Sequence, residues 1–175
     1  FDHRVNPSNT SGATSDISVV AVADGKVRKL VDQEGADGNP VWSPDGTQIA
    51  FGSAMKKQFS FLNNVIAVIP AAGGRIDPIT TAFDENPGLV DWTTGGLFFS
   101  ASQRTWSYLF SIDPASKTIR KYTPAQQWIG SGFSLTPDGK WAAFTAADGT
   151  TLSEIYIAPV ATTLAPRKLT DMTSQ

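Results

Sequence analysis

Short apolar runs follow one another along the whole chain, separated by breaks rich in Gly, Pro, Asp and Ser, and few stretches hold a helical period. Residues 17–23 and 26–31 read as two strands joined by the turn pair Asp24-Gly25. The same strand-turn-strand unit returns at 65–80, 108–123 and 155–170, the last with a longer turn. Each copy closes on a large apolar residue, usually followed by Thr: Leu30, Ile79-Thr80, Tyr122-Thr123 and Leu169-Thr170. Residues 65–69 and 17–22 are apolar at both alternating sets of positions, apart from Ser18. A strand with one wet face would alternate, so these strands belong in sheets covered on both sides. Only 55–62 has any helical character, and it reads equally as a long loop.

A second hairpin precedes each of the later units. Pro40-Val41-Trp42-Ser43-Pro44-Asp45-Gly46-Thr47-Gln48-Ile49-Ala50-Phe51 is an apolar strand, a tight turn and another apolar strand. Pro44 presets φ for the first corner, Asp45 tolerates the next, and Gly46 takes the positive φ that closes the turn. Residues 133–144 repeat it with Thr136-Pro137-Asp138-Gly139, and 90–99 hold a worn copy with Thr93-Thr94-Gly95-Gly96. Because Asp138 repeats Asp45 in the same setting, both read as turn residues and not as catalysts. The closing apolar residues recur every 43 to 49 positions. Four strands at a period of roughly 40–50 residues are the mark of β-propeller blades.

The expected fold is therefore all-β, a β-propeller of four-stranded antiparallel blades. It is partial, with about three and a half blades: a remnant at 1–31 and blades at about 39–80, 86–123 and 132–170. Tight turns fall at one end of each blade. The longer connections, 32–39, 54–64, 81–87, 101–107, 124–132 and 146–153, fall at the other, where binding is expected. A closed ring of six to eight blades needs on the order of 250–400 residues. Open strand edges are a liability, so the 175 residues are expected to be a piece of a larger protein.

Composition narrows the function classes. The net charge is −2 with no basic run, which argues against nucleic-acid binding. There is no cysteine, which excludes disulfides and thiolate chemistry, and no apolar run long enough for a membrane helix.

Pro-x-Trp-Ser-Pro-Asp-Gly-x-x-Ile-Ala-Phe resembles the WD-like repeat of TolB-type proteins and of the N-terminal propellers of prolyl oligopeptidase family serine peptidases. Residues 15–20, 38–46 and 83–87, with the following Trp92, resemble the acylaminoacyl-peptidase and dipeptidyl-peptidase branch of that family. The resemblance implies a propeller that gates and positions peptide substrates for a C-terminal α/β-hydrolase domain in the parent chain. It also implies a periplasmic or secreted setting. The rival reading is a TolB-type scaffold that binds protein partners. A third is that two such chains complete one ring.

The chemistry of a triad needs a Gly-x-Ser-x-Gly elbow. None is present: Gly130-Ser131-Gly132 has the wrong spacing, and the sole histidine, His3, has no nucleophile beside it in sequence. No catalytic residue and no cofactor are expected in these residues. Asp32, Glu34, Asp37 and Asn39 form an oxygen-rich stretch, but the spacing misses the calcium-loop pattern, so no metal site is assigned. Asp84-Glu85 are adjacent carboxylates on the loop-rich end, able to bind a substrate amino group or to serve turn amides. Arg104 and Trp106, in another loop on that end, could pair a carboxylate and line a pocket, or pack the loop on its blade. These four are the candidate substrate-binding residues. Trp42, Trp92 and Trp141 sit on strands and are expected in the core.

Overall fold

The computed structural model describes residues 1–4, 14–55, 63–124, 129–172 and 174. Most of the 55–62 segment, where helical character was considered, lies outside them. Among the described residues every regular element is a strand, and the chain divides into two compact units, 1–89 and 90–175.

The first unit holds two sheets. Strands β1 (Asp2–Arg4), β2 (Ser15–Val20) and β3 (Val27–Val31) form an antiparallel three-stranded sheet. Strands β4 (Asp37–Trp42), β5 (Gln48–Ser53), β6 (Val65–Pro70) and β7 (Asp77–Pro78) form a four-stranded one, each strand antiparallel to the last. The two sheets share a core of Ile17, Val31, Ile49, Phe51, Ala67 and Ile69, all at most 2% exposed. Side chains two apart on each strand reach the same face, so Ile49 with Phe51 and their partners Ile69 with Ala67 meet Ile17. Each such fully buried Ile or Phe contributes about 1.5–3 kcal/mol.

The second unit repeats the plan. Strands β8 (Gly88–Thr93), β9 (Gly96–Gln103), β10 (Trp106–Ile112) and β11 (Ile119–Pro124) run in sequence order in one sheet. Strands β12 (Ile129–Leu135), β13 (Trp141–Ala147) and β14 (Glu154–Pro159) begin the next, with β16 (Arg167–Lys168) as its outer strand. The longer turn before β16 contributes β15 (Thr163–Leu164), which adds parallel to β11 of the neighbouring sheet. Leu164, 2% exposed, enters the core shared by both sheets with Phe98, Leu109, Tyr122, Ala142 and Phe144. Arg120 Nη2 donates to Thr162 Oγ1 at 2.6 Å beside it.

The repeated motifs have a direct hydrogen-bond rationale. Ser43 Oγ donates to Asp45 Oδ1 at 2.6 Å and accepts the Gln48 amide at 2.9 Å; Asp45 also takes the Thr47 amide at 3.0 Å. Thr136 and Asp138 repeat this with the Trp141 and Lys140 amides. These bonds hold the Asp45 and Asp138 carboxyls below the usual aspartate range, with the Ser43 and Thr136 hydroxyls as the largest cause. The closing Thr serves the far end of the blade. Thr80 Oγ1 accepts the Ile66 amide at 2.8 Å, and Thr170 Oγ1 accepts the Ile155 amide at 2.9 Å. The outer strand is thereby fastened to the third where its short ladder ends.

The worn copy also has a structural reason. Thr94 donates its amide to Pro137 O at 3.1 Å, so the Thr93–Gly96 turn is seated on the Pro137-Asp138-Gly139 turn. A Cβ on Gly95 would lie 2.7 Å from Asp138 O, which leaves no room for the Asp of the other copies.

Two expectations about side-chain placement are corrected. Trp42 and Trp141 do sit at strand ends, but they are 50% and 47% exposed, and Trp92 is only partly buried. Each lies beside a turn, where the neighbouring sheet gives no cover. The oxygen-rich stretch is likewise no loop site: Asp37 opens β4 and is 1% exposed, while Asp32 is exposed and paired with Lys29 at 2.9 Å.

Candidate functional site

In the first unit the end opposite the Ser43–Gln48 turn gathers the starts of β2, β4 and β6 with the residues that follow β5 and β7. Asp16, at 3% exposure, is the second residue of β2 and is paired with His3. Asp37 faces Ser53 across the β4–β5 ladder. Gln33 Nε2 donates to Asp37 Oδ1 at 2.9 Å and to Ser53 Oγ at 3.2 Å. Asp37 Oδ2 is buried and has no hydrogen-bond partner among the described residues. Burial pushes the Asp37 carboxyl above the usual aspartate range; Ser53 and Gln33 act against that shift, and the charge of Asp16 adds to it. Lys29 Nζ lies 3.7 Å from Asp16 and 2.9 Å from Asp32. Asp16, Asp37 and Ser53 make a buried polar cluster and not a cation cage; among the described residues no three acidic or histidine side chains converge on a metal-sized position.

Asp84 and Glu85 lie on the connection after β7, in this same unit. Asp84 is exposed and Glu85 partly buried. Asn86 Oδ1 accepts the Asn64 amide at 2.9 Å, which fixes that connection to the start of β6. Among the described residues Asp84 takes no backbone amide, so the turn role considered for it is not what its geometry displays.

Arg104 and Trp106 belong to the second unit. The 101–107 connection is much tighter than a loop: β9 runs to Gln103, β10 starts at Trp106, and Gln103 and Trp106 are paired. Arg104 and Thr105 alone make the turn, with Arg104 at φ +59° and exposed. Trp106 is therefore a strand residue and partly buried; it shares one face of β10 with Tyr108, Phe110 and Ile112, alternating with Ser107, Leu109 and Ser111 on the other.

Sequence reasoning missed Lys121. Its Nζ donates to Gln103 Oε1 at 2.6 Å and sits 3.5 Å from the centroid of the Tyr108 ring. A cation over a ring gains about 0.5–2 kcal/mol. A single lysine in a strand carries no sequence signal, because the partners come from two other strands. Glu154, opening β14 at 1% exposure, was missed for the same reason: it takes the Thr170 hydroxyl and the Met172 amide, at 2.5 and 2.6 Å.

The comparisons agree with this geometry. No family model matches the chain. The chain is 29% identical over 120 residues to a "probable dipeptidyl-peptidase 5" of Emericella nidulans, covering 68% of this chain and 15% of that protein. Among solved structures, the β-propeller domain of the Trilobed protease from Pyrococcus furiosus superposes with a TM-score of 0.69 at 19% identity. That match covers 99% of this chain and 51% of the other. The chain is a partial β-propeller. TolB from Acinetobacter baumannii shares the propeller fold, with a TM-score of 0.70 at 17% identity over 90% of this chain and 38% of that one. The propeller described here thus spans a small part of the dipeptidyl-peptidase relative, and about half of the Trilobed protease propeller.

Proposed function

We propose that the chain is the non-catalytic propeller segment of a prolyl oligopeptidase family serine peptidase. In this reading it gates access and positions peptide substrates for an α/β-hydrolase domain of the same polypeptide. The observation that carries it is the sequence likeness to a dipeptidyl-peptidase 5 through two-thirds of the chain, joined to the blade geometry. Asp84 and Glu85 offer carboxylates to a peptide amino group, Arg104 offers its guanidinium to a carboxylate, and Trp106 offers a flat apolar wall. Exposure of Asp84 and Arg104 and the strand-fixed position of Trp106 support those roles.

The test has two parts. The isolated 175 residues should neither turn over an aminoacyl-nitroanilide nor take a fluorophosphonate label. The gene downstream of Gln175 should continue into further blades and a Gly-x-Ser-x-Gly elbow. Labelling of the isolated chain refutes the non-catalytic role, and a stop codon soon after the blades refutes the peptidase parent. The second outcome favours the other reading, a scaffold that binds protein partners, to which the fold likeness to TolB gives support.

A further inference from the structure

Asp-Gly occurs five times, at Asp24-Gly25, Asp37-Gly38, Asp45-Gly46, Asp138-Gly139 and Asp148-Gly149. Glycine has no side chain to shield its main-chain nitrogen, so in such a pair that nitrogen can reach the Cγ of the preceding aspartate. Three of the five pairs close this route with the glycine amide itself. Gly25 N donates to Ala21 O at 2.8 Å, Gly46 N to Ser43 O at 2.9 Å and Gly139 N to Thr136 O at 2.7 Å, each glycine at a φ between +67° and +70°. Asp37-Gly38 lies inside the β4–β5 ladder, with Asp37 only 1% exposed. Gly149 differs. Its amide has no protein acceptor among the described residues, Asp148 and Gly149 are both exposed, and a Cβ on Gly149 would meet nothing within 4 Å. The Asp148 carboxyl beside it is fixed, because Oδ1 accepts the Thr150 amide at 2.8 Å, the Thr151 amide at 2.9 Å and the Thr150 hydroxyl at 2.9 Å. Hydrogen bonds from Lys26, Ser43, Thr136 and the Thr150 amide are the largest causes that hold Asp24, Asp45, Asp138 and Asp148 below the usual aspartate range. Ionisation therefore does not separate the four turns, and the glycine amide does.

We propose that Asp148-Gly149 is a self-modification site, where the main chain closes a succinimide and reopens as isoaspartate with water as the only co-reactant. Gly149 N gives up its proton and bonds to Asp148 Cγ, and the protonated Oδ2 leaves as water, which closes a five-membered imide. As Cγ turns tetrahedral, charge develops on Oδ1, where the Thr150 and Thr151 amides already point. Water then adds to one of the two imide carbonyls and breaks its bond to nitrogen. Addition at Cγ restores aspartate. Addition at the main-chain carbonyl leaves the chain running through Cγ, with a free α-carboxylate, and no atom changes oxidation state. The product lengthens the β13–β14 connection by one methylene and turns a carboxylate acceptor for Thr150 and Thr151 into an amide oxygen. The site lies within the second unit and does not depend on the peptidase reading.

The full chain is aged at neutral pH, and isoaspartate at each pair is read by methyl transfer from S-adenosylmethionine with an isoaspartyl carboxyl methyltransferase, followed by peptide fragmentation. Isoaspartate should build up at Asp148 about tenfold faster than at Asp24, Asp45 or Asp138, whose glycine amides must first break a main-chain bond. In urea the five rates should converge, because only the shared Asp-Gly chemistry then acts. Asp148→Glu should abolish the signal at that position, since the ring would need six members. Gly149→Ala, for which there is room, should slow it by placing a methyl group beside the attacking nitrogen. Unchanged amide exchange at Ala142 in both variants shows that β13 is intact, and the aged parent should exchange the Thr150 and Thr151 amides faster than the fresh one. Equal rates at Asp148 and Asp45 in the folded chain overturn the proposal. So does isoaspartate at Asp148 that forms only in urea.

Discussion

Gly46 and Gly139 occupy the same position in two copies of one turn, yet replacing each with alanine should give unequal losses. Both have positive φ, +70° and +67°, which costs an L-residue about 1 kcal/mol. The unfolded chain loses the same freedom at either site, so that contribution cancels in the comparison. The space around them differs. A Cβ on Gly46 meets nothing within 4 Å. A Cβ on Gly139 would lie 2.5 Å from Thr93 Oγ1, 3.1 Å from Gly95 Cα and 3.1 Å from Phe98 Cε2. Thr93 and Phe98 are both buried, and Gly95 is backbone, so none of the three can swing away freely. Overpacking of this kind costs about 1–3 kcal/mol. Gly46→Ala should therefore cost about 1 kcal/mol and Gly139→Ala about 2–4 kcal/mol.

The two units need separate reporters, because a single unfolding curve would mix them. Amide exchange at Ala50 on β5 reads the first unit, and at Ala142 on β13 reads the second. Gly139→Ala should speed exchange at Ala142 and leave Ala50 alone, with the smaller converse for Gly46→Ala. Equal losses at the two glycines would refute the claim that the worn turn rests on the intact one. A rescue adds a second check: Thr93→Ser keeps the hydroxyl and frees no room at Oγ, whereas Thr93→Ala removes the clashing atom and should recover part of the Gly139→Ala loss.

Other outcomes follow from single groups. Asp37 has its folded pKa raised chiefly by burial, so its contribution to stability is full below the unfolded value of about 3.9 and is lost as pH rises through the folded value. Urea midpoints between pH 4 and 8 should therefore fall more steeply for the parent than for Asp37→Asn, and superimposable pH profiles would rule this out. Asp45 and Asp138 have depressed values, so their contribution is present above the unfolded pKa and is lost as pH falls through the folded one; carboxyl NMR titrations should give both midpoints below about 3.9. Thr80→Val strips the hydroxyl from the buried Ile66 amide and should cost about 1–3 kcal/mol, whereas Thr80→Ser should retain most of it. Leu164→Ala should cost about 2–5 kcal/mol and expose the β11 amides to exchange.

The blades were legible because their instructions are local. Ser43, Asp45 and Gly46 act on one another within a few residues, and the repeat at Thr136, Asp138 and Gly139 doubles the signal. The run at 65–69, apolar at both sets of positions, announced cover on both faces, which Ile66, Ala67, Val68 and Ile69, at most 5% exposed, display; the same expectation for 17–22 holds at Ile17 but fails at Val20 and Val22, which are 42% and 99% exposed. What stayed hidden depends on partners far away in the chain. Nothing in Thr163-Leu164 foretells a strand, since its ladder exists only because β11 of the neighbouring sheet has an open edge. The reason for Gly95 lies at Asp138, 43 residues on. The exposure of Trp42 and Trp141 was misjudged because strand residence was equated with burial, although a strand end beside a turn has cover on one side only. Of the candidate site residues, sequence placed Asp84, Glu85 and Arg104 on connections correctly, but took Trp106 for a loop residue where β10 already begins.

Counting lone pairs separates the two ends of the blades. At the tight-turn end the carboxylates are spent on their own turns. Asp45 takes two hydroxyls and an amide, and Asp138 a hydroxyl and an amide with Lys140 Nζ at 3.5 Å, so the Oδ1 of each is committed to its own turn. At the opposite end the accounts stay open. Asp37 keeps a buried oxygen without a partner, and Asp84 reaches solvent unengaged by any described amide. A repeated residue whose bonds are closed by its own turn is architecture, however suggestive an aspartate looks in sequence. The residues with unclosed bonds are not repeated: Asp37 opens β4 and Asp84 lies on the connection after β7. Side-chain chemistry is therefore to be sought at the loop-rich end.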